Sequence, residues 1–332
     1  MTTDDNQTKL WQTDDDCGSN TPTNDPQAGA PPRFPAGHLP DPDQTLIVAT
    51  SGGKDSAAMA LWLKFESALP NPLHFVFNDT GHEHPLTLQW IDETLAPALG
   101  QPIERTPAKF TFKSLCEKKT RFPSSTRRFC TQELKIFPMQ RWMTAQIDAG
   151  DIVRPVLCQG VRAGESLRRS KMSEWDNTQG DFDGFYDVWR PILRWSEGEV
   201  FAAHRRHGLD PNPLYLMGAG RVGCWPCIHV RHGELRNAFR RDPELLPRLA
   251  DMEAGVAKAS KRGKASFFTP AKIPKAWQDG SGMTAEGVPY TYPTIQAVYD
   301  YLMSPDQADL FGDEAGDLDD VPTCMSQYGR CE

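Results

Sequence analysis

The stretch that most constrains the fold lies between residues 45 and 69, where a strand, a glycine turn and a helix are predicted in direct succession. Residues 45–50 are apolar or β-branched, which is typical of a short buried strand. From Asp55 to about Leu69, apolar residues recur at the three- and four-residue spacing of a helix face. The turn between these elements reads Ser-Gly-Gly-Lys-Asp-Ser at 51–56. This arrangement predicts a tightly folded loop that opens a helix.

The chemistry of this loop favours a phosphate ligand. Its two glycines permit a tight turn and a close approach of the backbone to a ligand. A helix N-terminus offers free N–H groups and a dipole that favour an anion, and two hydroxyls and an ammonium add to them. The Walker A spacing is absent, so the sequence does not predict an ordinary P-loop NTPase; the competing interpretation is a glycine turn with incidental polar residues. The candidate nucleotide-binding residues here are Ser51, Gly52, Gly53, Lys54, Asp55 and Ser56.

The next elements predict an α/β fold. A second strand at 73–77 ends in Asn-Asp-Thr-Gly and thereby places Asp79 at a strand end. A helix from about Pro85 to Leu99 and a short strand near 102–106 follow. This alternation predicts a doubly wound parallel sheet of Rossmann type, which binds ligands at the carboxyl ends of its strands. Asp79 is therefore a further candidate site residue.

A second glycine turn follows the strand predicted at 152–158. It contains Gly160 and Arg162, and Glu165 and Arg169 come shortly afterwards. Arginine suits phosphate or carboxylate because its planar guanidinium makes two parallel hydrogen bonds. These four residues are the candidates contributed by the second turn.

The remainder of the chain predicts helices and loops. A Ser196–Glu199 capping box opens a helix over 197–207, on which His204 and His207 are expected to be exposed. Two further helices, a loop-like stretch over 260–293 and a last helix over 292–303 form a predicted C-terminal extension.

Charge and composition divide the chain of 332 residues into four parts. Residues 1–44 carry a net charge of −6 and residues 305–332 a net charge of −7, so the whole-chain charge of −8 leaves +5 for the part between them. Both ends are acidic and poor in apolar residues, and disorder is expected there. The predicted parts are a tail (1–44), a nucleotide-binding domain (45–235), a helical and loop extension (236–304) and a second tail with a cysteine pair (305–332).

The stretch 105–141 is strongly basic, with ten Lys or Arg against two acidic residues. Such a run is either a solvated face or a basic lid over phosphates, DNA or RNA. Both interpretations remain open at this stage.

The sequence contains no apolar run long enough for a transmembrane helix, and its N-terminus lacks the pattern of a signal peptide. A cytoplasmic protein without membrane contact is therefore expected. In that reducing compartment the eight cysteines are interpreted as thiols, metal ligands or cluster ligands rather than as disulfides.

Six motifs occur in an order that resembles the phosphoadenylyl-sulfate (PAPS) reductase family of the adenine-nucleotide α-hydrolase superfamily. They are Ser-Gly-Gly-Lys-Asp-Ser, Asp-Thr-Gly, Arg-Phe-Cys-Thr…Leu-Lys…Pro, Gly-Val-Arg…Glu-Ser…Arg, Asn-Pro-Leu-Tyr and Gly-Cys-x-x-Cys, within about residues 45–235. The complete loop resembles the ATP-cleaving branch, which includes the small subunit of ATP sulfurylase and the adenylating enzymes of DNA phosphorothioation. True reductases generally lack Lys-Asp-Ser and end in Glu-Cys-Gly, whereas this chain ends in Gly-Arg-Cys-Glu.

The resemblance implies an enzyme that binds ATP with Mg²⁺, releases pyrophosphate and adenylylates an unknown acceptor, DNA or RNA among the options, for sulfur chemistry. Loop 51–56 would hold the pyrophosphate, with Lys54 offsetting its charge. Asp55 or Asp79 would hold Mg²⁺ or position the acceptor. Arg162 and Arg169 would bind phosphate or acceptor, oriented by Glu165.

Two alternatives remain. One is a reductase of phosphoadenylyl sulfate or adenylyl sulfate that uses Cys331 as nucleophile with a thioredoxin-like or sulfur-donor partner. The other is a non-catalytic nucleotide-binding module.

Cys224 and Cys227 have the Cys-x-x-Cys spacing of a metal or cluster site. The resemblance adds Cys130 as a third ligand, although iron–sulfur members tend to carry two adjacent cysteines where this chain has Phe129-Cys130. A [4Fe–4S] cluster, zinc with help from nearby histidines, and reduced thiols are the three interpretations. The expected fourth ligand is Cys331, followed by Cys324 and then by Cys158 or Cys116.

Overall fold

The computed structural model describes residues 35, 37–176, 186–268, 273–284 and 286–305. The strands are β1 Leu46–Thr50, β2 Leu73–Phe77, β3 Glu104–Arg105, β4 Val156–Gln159, β5 Trp175–Asp176, β6 Asp187–Trp189, β7 Gly280–Met283 and β8 Pro289–Tyr292. The α-helices are α1 Lys54–Leu61, α2 Pro85–Trp90, α3 Ala96–Leu99, α4 Phe112–Lys119, α5 Phe129–Thr131, α6 Phe137–Ala149, α7 Leu167–Ser170, α8 Glu197–Arg206, α9 Pro213–Leu216, α10 His232–Arg241, α11 Leu245–Ala259 and α12 Ile295–Met303. Short π-helical segments continue α1, α2 and α5 at Trp62–Glu66, Ile91–Leu95 and Gln132–Ile136.

Six strands form one mixed sheet in the order β3-β2-β1-β4-β6-β5. All neighbours are parallel except β5, which runs antiparallel to β6 at the edge. β1 lies between β2 and β4 near the middle of the sheet. The strands β2 and β3 are added on one side of β1, and β4, β6 and β5 on the other. A ligand site is expected at the carboxyl ends of these central strands, where the strand order reverses.

Both faces of the sheet are covered, as the doubly wound fold requires. Leu46 and Val48 pack on one face with residues of α1, α3 and α8. Ile47, between them in sequence, packs on the other face with Met139 and Met143 of α6. Successive side chains of a strand point to opposite faces, so an uninterrupted apolar strand is the pattern of a sheet buried on both sides. The predicted α/β class is confirmed.

A separate hydrophobic core lies outside the sheet. It combines α4 with α10, α11 and α12, and Phe267 and Phe268 fill its centre. Leu115 of α4 and Leu249 of α11 are fully buried there. The C-terminal helices thus pack on a helix from the basic stretch 105–141.

The predicted elements agree with the structure over most of the chain, with two differences. The stretch 260–293 contains a two-stranded hairpin, β7–β8, where a loop is expected from sequence. Residues 37–44 are described and pack on the domain: Gln44 is buried and Asp41 pairs with Arg154. The rest of the two predicted tails, with Cys324 and Cys331, lies outside the described residues. Within the described part of the chain, no helix is long and apolar enough to cross a membrane.

A buried carboxylate connects the parts of the C-terminal core. Glu253 of α11 is 8% exposed, and its two oxygens accept hydrogen bonds from the N–H groups of Phe267 at 2.6 Å and Ile295 at 2.9 Å. Burial raises the pKa of Glu253 to about 7, because desolvation outweighs these two hydrogen bonds. The native state therefore binds this proton more tightly than the unfolded chain does.

This raised pKa predicts a pH-dependent stability of the C-terminal core. A pKa above the unfolded value means that the contribution of Glu253 is present at acid pH and is lost as pH rises from about 4.5 to about 7. From pH 5 to pH 8, the free energy of unfolding of the wild type, measured with urea, should fall on the order of 2–3 kcal/mol more than that of Glu253→Gln. Glu244→Gln, at the exposed start of the same helix, is the matched control. Equal pH dependence of all three proteins would contradict the prediction.

Candidate functional site

Loop 51–56 is folded around its own hydroxyls. The Ser56 hydroxyl donates to the Gly53 carbonyl at 3.0 Å and accepts a hydrogen bond from the Ser51 N–H at 3.1 Å. Gly52 has a φ of +73°, and a Cβ added there would lie 2.5 Å from Cγ2 of Thr87. The left-handed backbone and this close approach both require glycine at position 52. The loop is therefore a fixed turn rather than a flexible connection.

Four backbone N–H groups of this turn have no hydrogen-bond acceptor within the described part of the chain: those of Gly52, Gly53, Asp55 and Ser56. They lie at the N-terminus of α1, where the helix dipole adds partial positive charge. Such a set of donors is suited to the oxygens of a phosphate or pyrophosphate. The arrangement agrees with the role expected of this loop.

Three side chains from the second half of the chain support the loop from outside. The Lys54 N–H donates to the Tyr215 hydroxyl at 3.0 Å, and Asn212 donates to the Gly52 carbonyl at 3.1 Å. Nε2 of His204 lies 2.8 Å from the Lys54 carbonyl. The expectation that His204 is exposed is wrong: it is 1% exposed, and burial lowers its pKa to about 4, so the neutral ring donates to this carbonyl.

Lys54 lies in a buried set of ion pairs. Its ammonium is 3.4 Å from the Asp55 carboxylate and 3.3 Å from that of Glu197, at the start of α8. Arg162 pairs with the same two carboxylates. Burial alone would lower the pKa of Arg162, but Asp55 and Glu197 raise it. Lys54 is 6% exposed, so it does not project into open solvent towards a ligand.

The second glycine turn packs directly against the first. A Cβ on Gly160 would lie 2.6 Å from Cα and 2.8 Å from N of Ser56, so this position has no room for a side chain. Glu165 accepts a hydrogen bond from the Arg162 N–H at 2.9 Å and pairs with Arg169. The structure thus brings the candidates of both turns together.

The two carboxylates expected to hold Mg²⁺ are both paired with arginine. Asp55 pairs with Arg162, as described above, and Asp79 is 2.8 Å from Arg105. Arg105 also reaches Asp92 at 2.7 Å. Carboxylate oxygens are ligand types that Mg²⁺ prefers, but each of these two would have to exchange an arginine for the ion.

The turn after β2 connects this region to the cysteines. Glu83 is buried, and it accepts hydrogen bonds from the Thr80 N–H and from the Thr80 hydroxyl, at 3.1 and 2.7 Å. Glu83 and Cys224 form an isolated β-bridge, and the Trp225 N–H donates to the His82 carbonyl at 2.7 Å. The Cys-x-x-Cys segment is therefore attached to the carboxyl end of a central strand.

Cys130, Cys224 and Cys227 lie in one electrostatic neighbourhood with Lys135. Burial raises the pKa of Cys130 and of Cys224, and for Cys224 the Lys135 ammonium acts in the opposite direction. The pKa of Lys135 is raised first by Cys224 and then by Glu83 and the other two thiols. Lys135 therefore offsets part of the effect that burial has on the pKa of Cys224.

These cysteines do not form a finished metal site. No three His, Cys, Asp or Glu side chains among the described residues are in ligand geometry. Cys116 lies near Cys130, and burial raises its pKa to about 12. Cys158 is buried within β4, and burial alone raises its pKa. Thiolates are ligand types that suit a soft metal or a cluster. Their positions in the structure do not match the geometry of a metal site. The expected fourth ligand, Cys331, lies outside the described residues.

The basic stretch 105–141 is not one continuous surface. Arg105 is paired with two aspartates, Lys113 with Asp251 and Lys119 with Glu133. α4, within this stretch, is covered on its apolar side by the C-terminal helices. Three of the ten cations are therefore paired with acidic residues of the domain.

A surface depression of about 390 Å³ lies elsewhere, near Asp92 and Ile103. None of the candidate residues lines it. It is therefore not part of the site.

Sequence reasoning assigns no role to several residues that build the site. They are Glu83, Lys135, Glu197, His204, Asn212 and Tyr215. Three signals were present: Asn212 and Tyr215 belong to the Asn-Pro-Leu-Tyr motif, Lys135 belongs to the Arg-Phe-Cys-Thr…Leu-Lys…Pro motif, and Glu197 follows the N-cap Ser196. Motif membership does not tell which group a side chain contacts across the fold.

Comparison with known proteins identifies the family of the chain. The phosphoadenosine phosphosulfate reductase domain matches residues 45–230. An uncharacterized 37.8 kDa protein of Escherichia phage 186 is 37% identical over 276 residues, covering 69% of this chain and 80% of that protein. Adenosine 5′-phosphosulfate reductase of Allochromatium vinosum is 31% identical, covering 56% and 69% respectively.

Among solved structures, phosphoadenylyl-sulfate reductase from Candida auris in its phosphate complex has a TM-score of 0.40 and 18% identity. The match covers 55% of this chain and 82% of that chain. The family assignment rests on the domain match, which spans more than half of the sequence. The chain belongs to the phosphoadenosine phosphosulfate reductase domain family.

Proposed function

We propose that this protein binds ATP at loop 51–56 and transfers its adenylyl group to an acceptor, with release of pyrophosphate. The observation that carries the proposal is the set of four backbone N–H groups that have no acceptor among the described residues, in a loop that retains Lys54, Asp55 and Ser56. A pyrophosphate leaving group offers enough oxygens to engage all four donors. The choice of ATP over a sulfonucleotide rests on the Lys54, Asp55 and Ser56 part of the loop.

In the proposed reaction an acceptor oxygen attacks the α-phosphorus, the bond from that phosphorus to the bridging oxygen breaks, and pyrophosphate leaves with the negative charge. Gly52, Gly53 and Ser56 would stabilise this charge by hydrogen bonds that are already in place. Lys54 lies behind them and contributes long-range positive charge rather than a direct contact. The side chains supply positioning and electrostatics and form no covalent intermediate.

Mg²⁺ would reduce the charge of the phosphates when bound. Asp55 and Asp79 are the carboxylates that would hold it, in exchange for Arg162 and Arg105. The arginines released in this exchange would lie beside the same phosphates. Arg169, held by Glu165, is the third arginine of this group.

A second candidate is reduction of a sulfonucleotide. It is favoured by the similarity to the adenosine 5′-phosphosulfate reductase of Allochromatium vinosum. Such an enzyme would use a cysteine nucleophile, here Cys331, and a thioredoxin-like partner. A nucleotide-binding module without catalysis is the third alternative.

Two assays distinguish these functions. With ATP, Mg²⁺ and candidate acceptors, we expect pyrophosphate release, measured by an enzyme-coupled assay. With adenylyl sulfate or phosphoadenylyl sulfate and reduced thioredoxin, we expect no sulfite. Sulfite formation without pyrophosphate release would show that the protein is a reductase. Nucleotide binding without either product would show that it is a non-catalytic binding module.

Lys54→Gln tests the loop itself. Glutamine removes the positive charge and leaves Asp55 and Glu197 paired with Arg162 alone, so folding of the variant is checked by circular dichroism and urea unfolding. Because Lys54 acts by its charge and not by direct contact, pyrophosphate release should fall, by less than the roughly 100-fold that loss of a direct hydrogen-bond donor costs. Lys64→Gln, on the exposed side of the segment that continues α1, is the matched control. Unchanged turnover in a folded Lys54→Gln protein would refute the role of this loop.

We also propose that Cys130, Cys224 and Cys227 bind a [4Fe–4S] cluster, or zinc, in the loaded protein. The proposal is supported by their shared neighbourhood and by Lys135 beside them. Anaerobically purified protein should contain about four iron atoms per chain and absorb broadly near 400 nm for a cluster, or about one zinc atom without that absorption.

Cys224→Ala should abolish binding of the cluster or of zinc, because Cys130 and Cys227 alone do not complete a four-ligand set. Cys158→Ala, inside the sheet, should keep it. The wild-type protein is also reconstituted with iron and sulfide, and separately with zinc. If it binds metal in neither experiment, the hypothesis is refuted.

A further inference from the structure

The carboxyl ends of α4 and α11 lie side by side. Lys113 near the start of α4 pairs with Asp251, and Glu117, one turn later, lies beside Gly255, where a Cβ would be 2.5 Å from its carboxylate oxygen. Glu117 lies four residues after Lys113, and Gly255 lies four residues after Asp251. The contacts therefore advance in the same direction along both helices, which run parallel. The C-termini of α4 and α11 therefore lie at the same end of the C-terminal core.

Positive charge is concentrated at this end. The residues are Lys118, Lys119 and Arg121 after or at the end of α4, and Lys258, Lys261, Arg262 and Lys264 after or at the end of α11. Cations in a last helical turn stabilise the helix dipole, which accounts for Lys118, Lys119 and Lys258. Arg121, Lys261 and Arg262 lie beyond the helices, and this reason does not apply to them.

Among the residues that the structure describes, one of these cations forms an ion pair. Lys119 pairs with Glu133 at 2.8 Å, and the Lys118 ammonium lies 4.4 Å from the centre of the Phe110 ring. Within the described ranges no ion pair involves Arg121, Lys261 or Arg262, although Glu286 lies near enough to Arg262 for its pKa to be affected. The charge is exposed and available to an anionic partner.

The hairpin β7–β8 adds two aromatic rings to this end. Lys264 donates to the Ser281 carbonyl and thereby joins the basic segment to β7. Tyr290 and Tyr292 lie on one face of β8 with ring centres 6.3 Å apart. Gly282, opposite Tyr290, would place a Cβ 2.6 Å from Cζ of that ring and 3.0 Å from Nζ of Lys264. A tyrosine ring and an ammonium therefore lie next to each other.

We propose that this surface, made of Arg121, Lys258, Lys261, Arg262, Tyr290 and Tyr292, binds single-stranded nucleic acid. Exposed cations would contact successive phosphates, and the half-buried rings would stack on bases. A second strand would cover the base faces that the tyrosines need, so duplex should bind more weakly. This surface takes Arg121 from the basic stretch 105–141 and combines it with cations and tyrosines that follow α10 in the sequence.

The position of the surface suits an acceptor. α4 begins at the turn after β2, where the Phe112 N–H donates to the Thr80 carbonyl at 2.8 Å. Its eight residues span about 12 Å, so the basic surface begins within a few nucleotides of the site. The assignment of this nucleic acid as acceptor rests on the proposed adenylyl transfer, whereas its binding rests on the contacts above.

Binding is tested by fluorescence anisotropy of labelled 20-nucleotide single-stranded DNA, single-stranded RNA and duplex DNA, from 50 to 300 mM salt. We expect single strands to bind, with an affinity that falls as salt rises. Lys261→Ala/Arg262→Ala should lessen the log–log slope by roughly 1.4, since each cation on a single strand contributes about 0.7. Lys64→Ala/Arg194→Ala removes the same charge from exposed positions elsewhere and should leave the slope unchanged.

The tyrosines provide an independent readout. Tyr290→Ala should weaken single-strand binding roughly 5- to 150-fold, and Tyr290→Phe should retain it because the ring is kept. No binding at 50 mM salt, equal effects of the two double variants, or tighter binding of duplex would each overturn the proposal, as would binding to phosphatidylserine vesicles but not to oligonucleotides. Loss of pyrophosphate release in Lys54→Gln with intact oligonucleotide binding would separate this surface from the proposed catalysis.

Discussion

The site depends on one buried group of charges: Lys54 and Arg162 facing Asp55 and Glu197. These four side chains come from the start of α1, the turn after β4 and the start of α8. Two cations and two anions balance, which is the condition under which charges can be buried at moderate cost. Removing any one leaves an uncompensated charge, so the three elements are held in one arrangement.

This group also explains why the loop presents backbone rather than side chains to a ligand. Lys54 and Asp55 point towards α8 and the β4 turn, and Tyr215, Asn212 and His204 bind the outer side of the loop. The N–H groups of Gly52, Gly53, Asp55 and Ser56 are then the loop's donors without an acceptor in the described structure. A rigid set of donors stabilises a developing anion without having to reorganise.

The fold and the location of the site could be predicted from the sequence, whereas the contacts of the side chains could not. A buried strand, a glycine turn and an amphipathic helix are local patterns, so loop 51–56 and the strand ends at Asp79 and Gly160 were found correctly in place. His204 shows the limit: its polar neighbours on α8 suggest exposure, and its burial arises from a loop 150 residues away. The pairing of α4 with α11 is equally non-local, and this pairing is what makes the basic stretch partly structural.

The second core has a consequence for how the family domain is bounded. The family match ends at residue 230, yet α4, which lies inside the match, buries Phe112, Leu115 and Cys116 against helices that follow it. A chain ending near that residue would expose this apolar surface next to the turn that carries Glu83. The matched domain and the packed core therefore have different boundaries, and changes in the C-terminal helices reach the matched domain through α4.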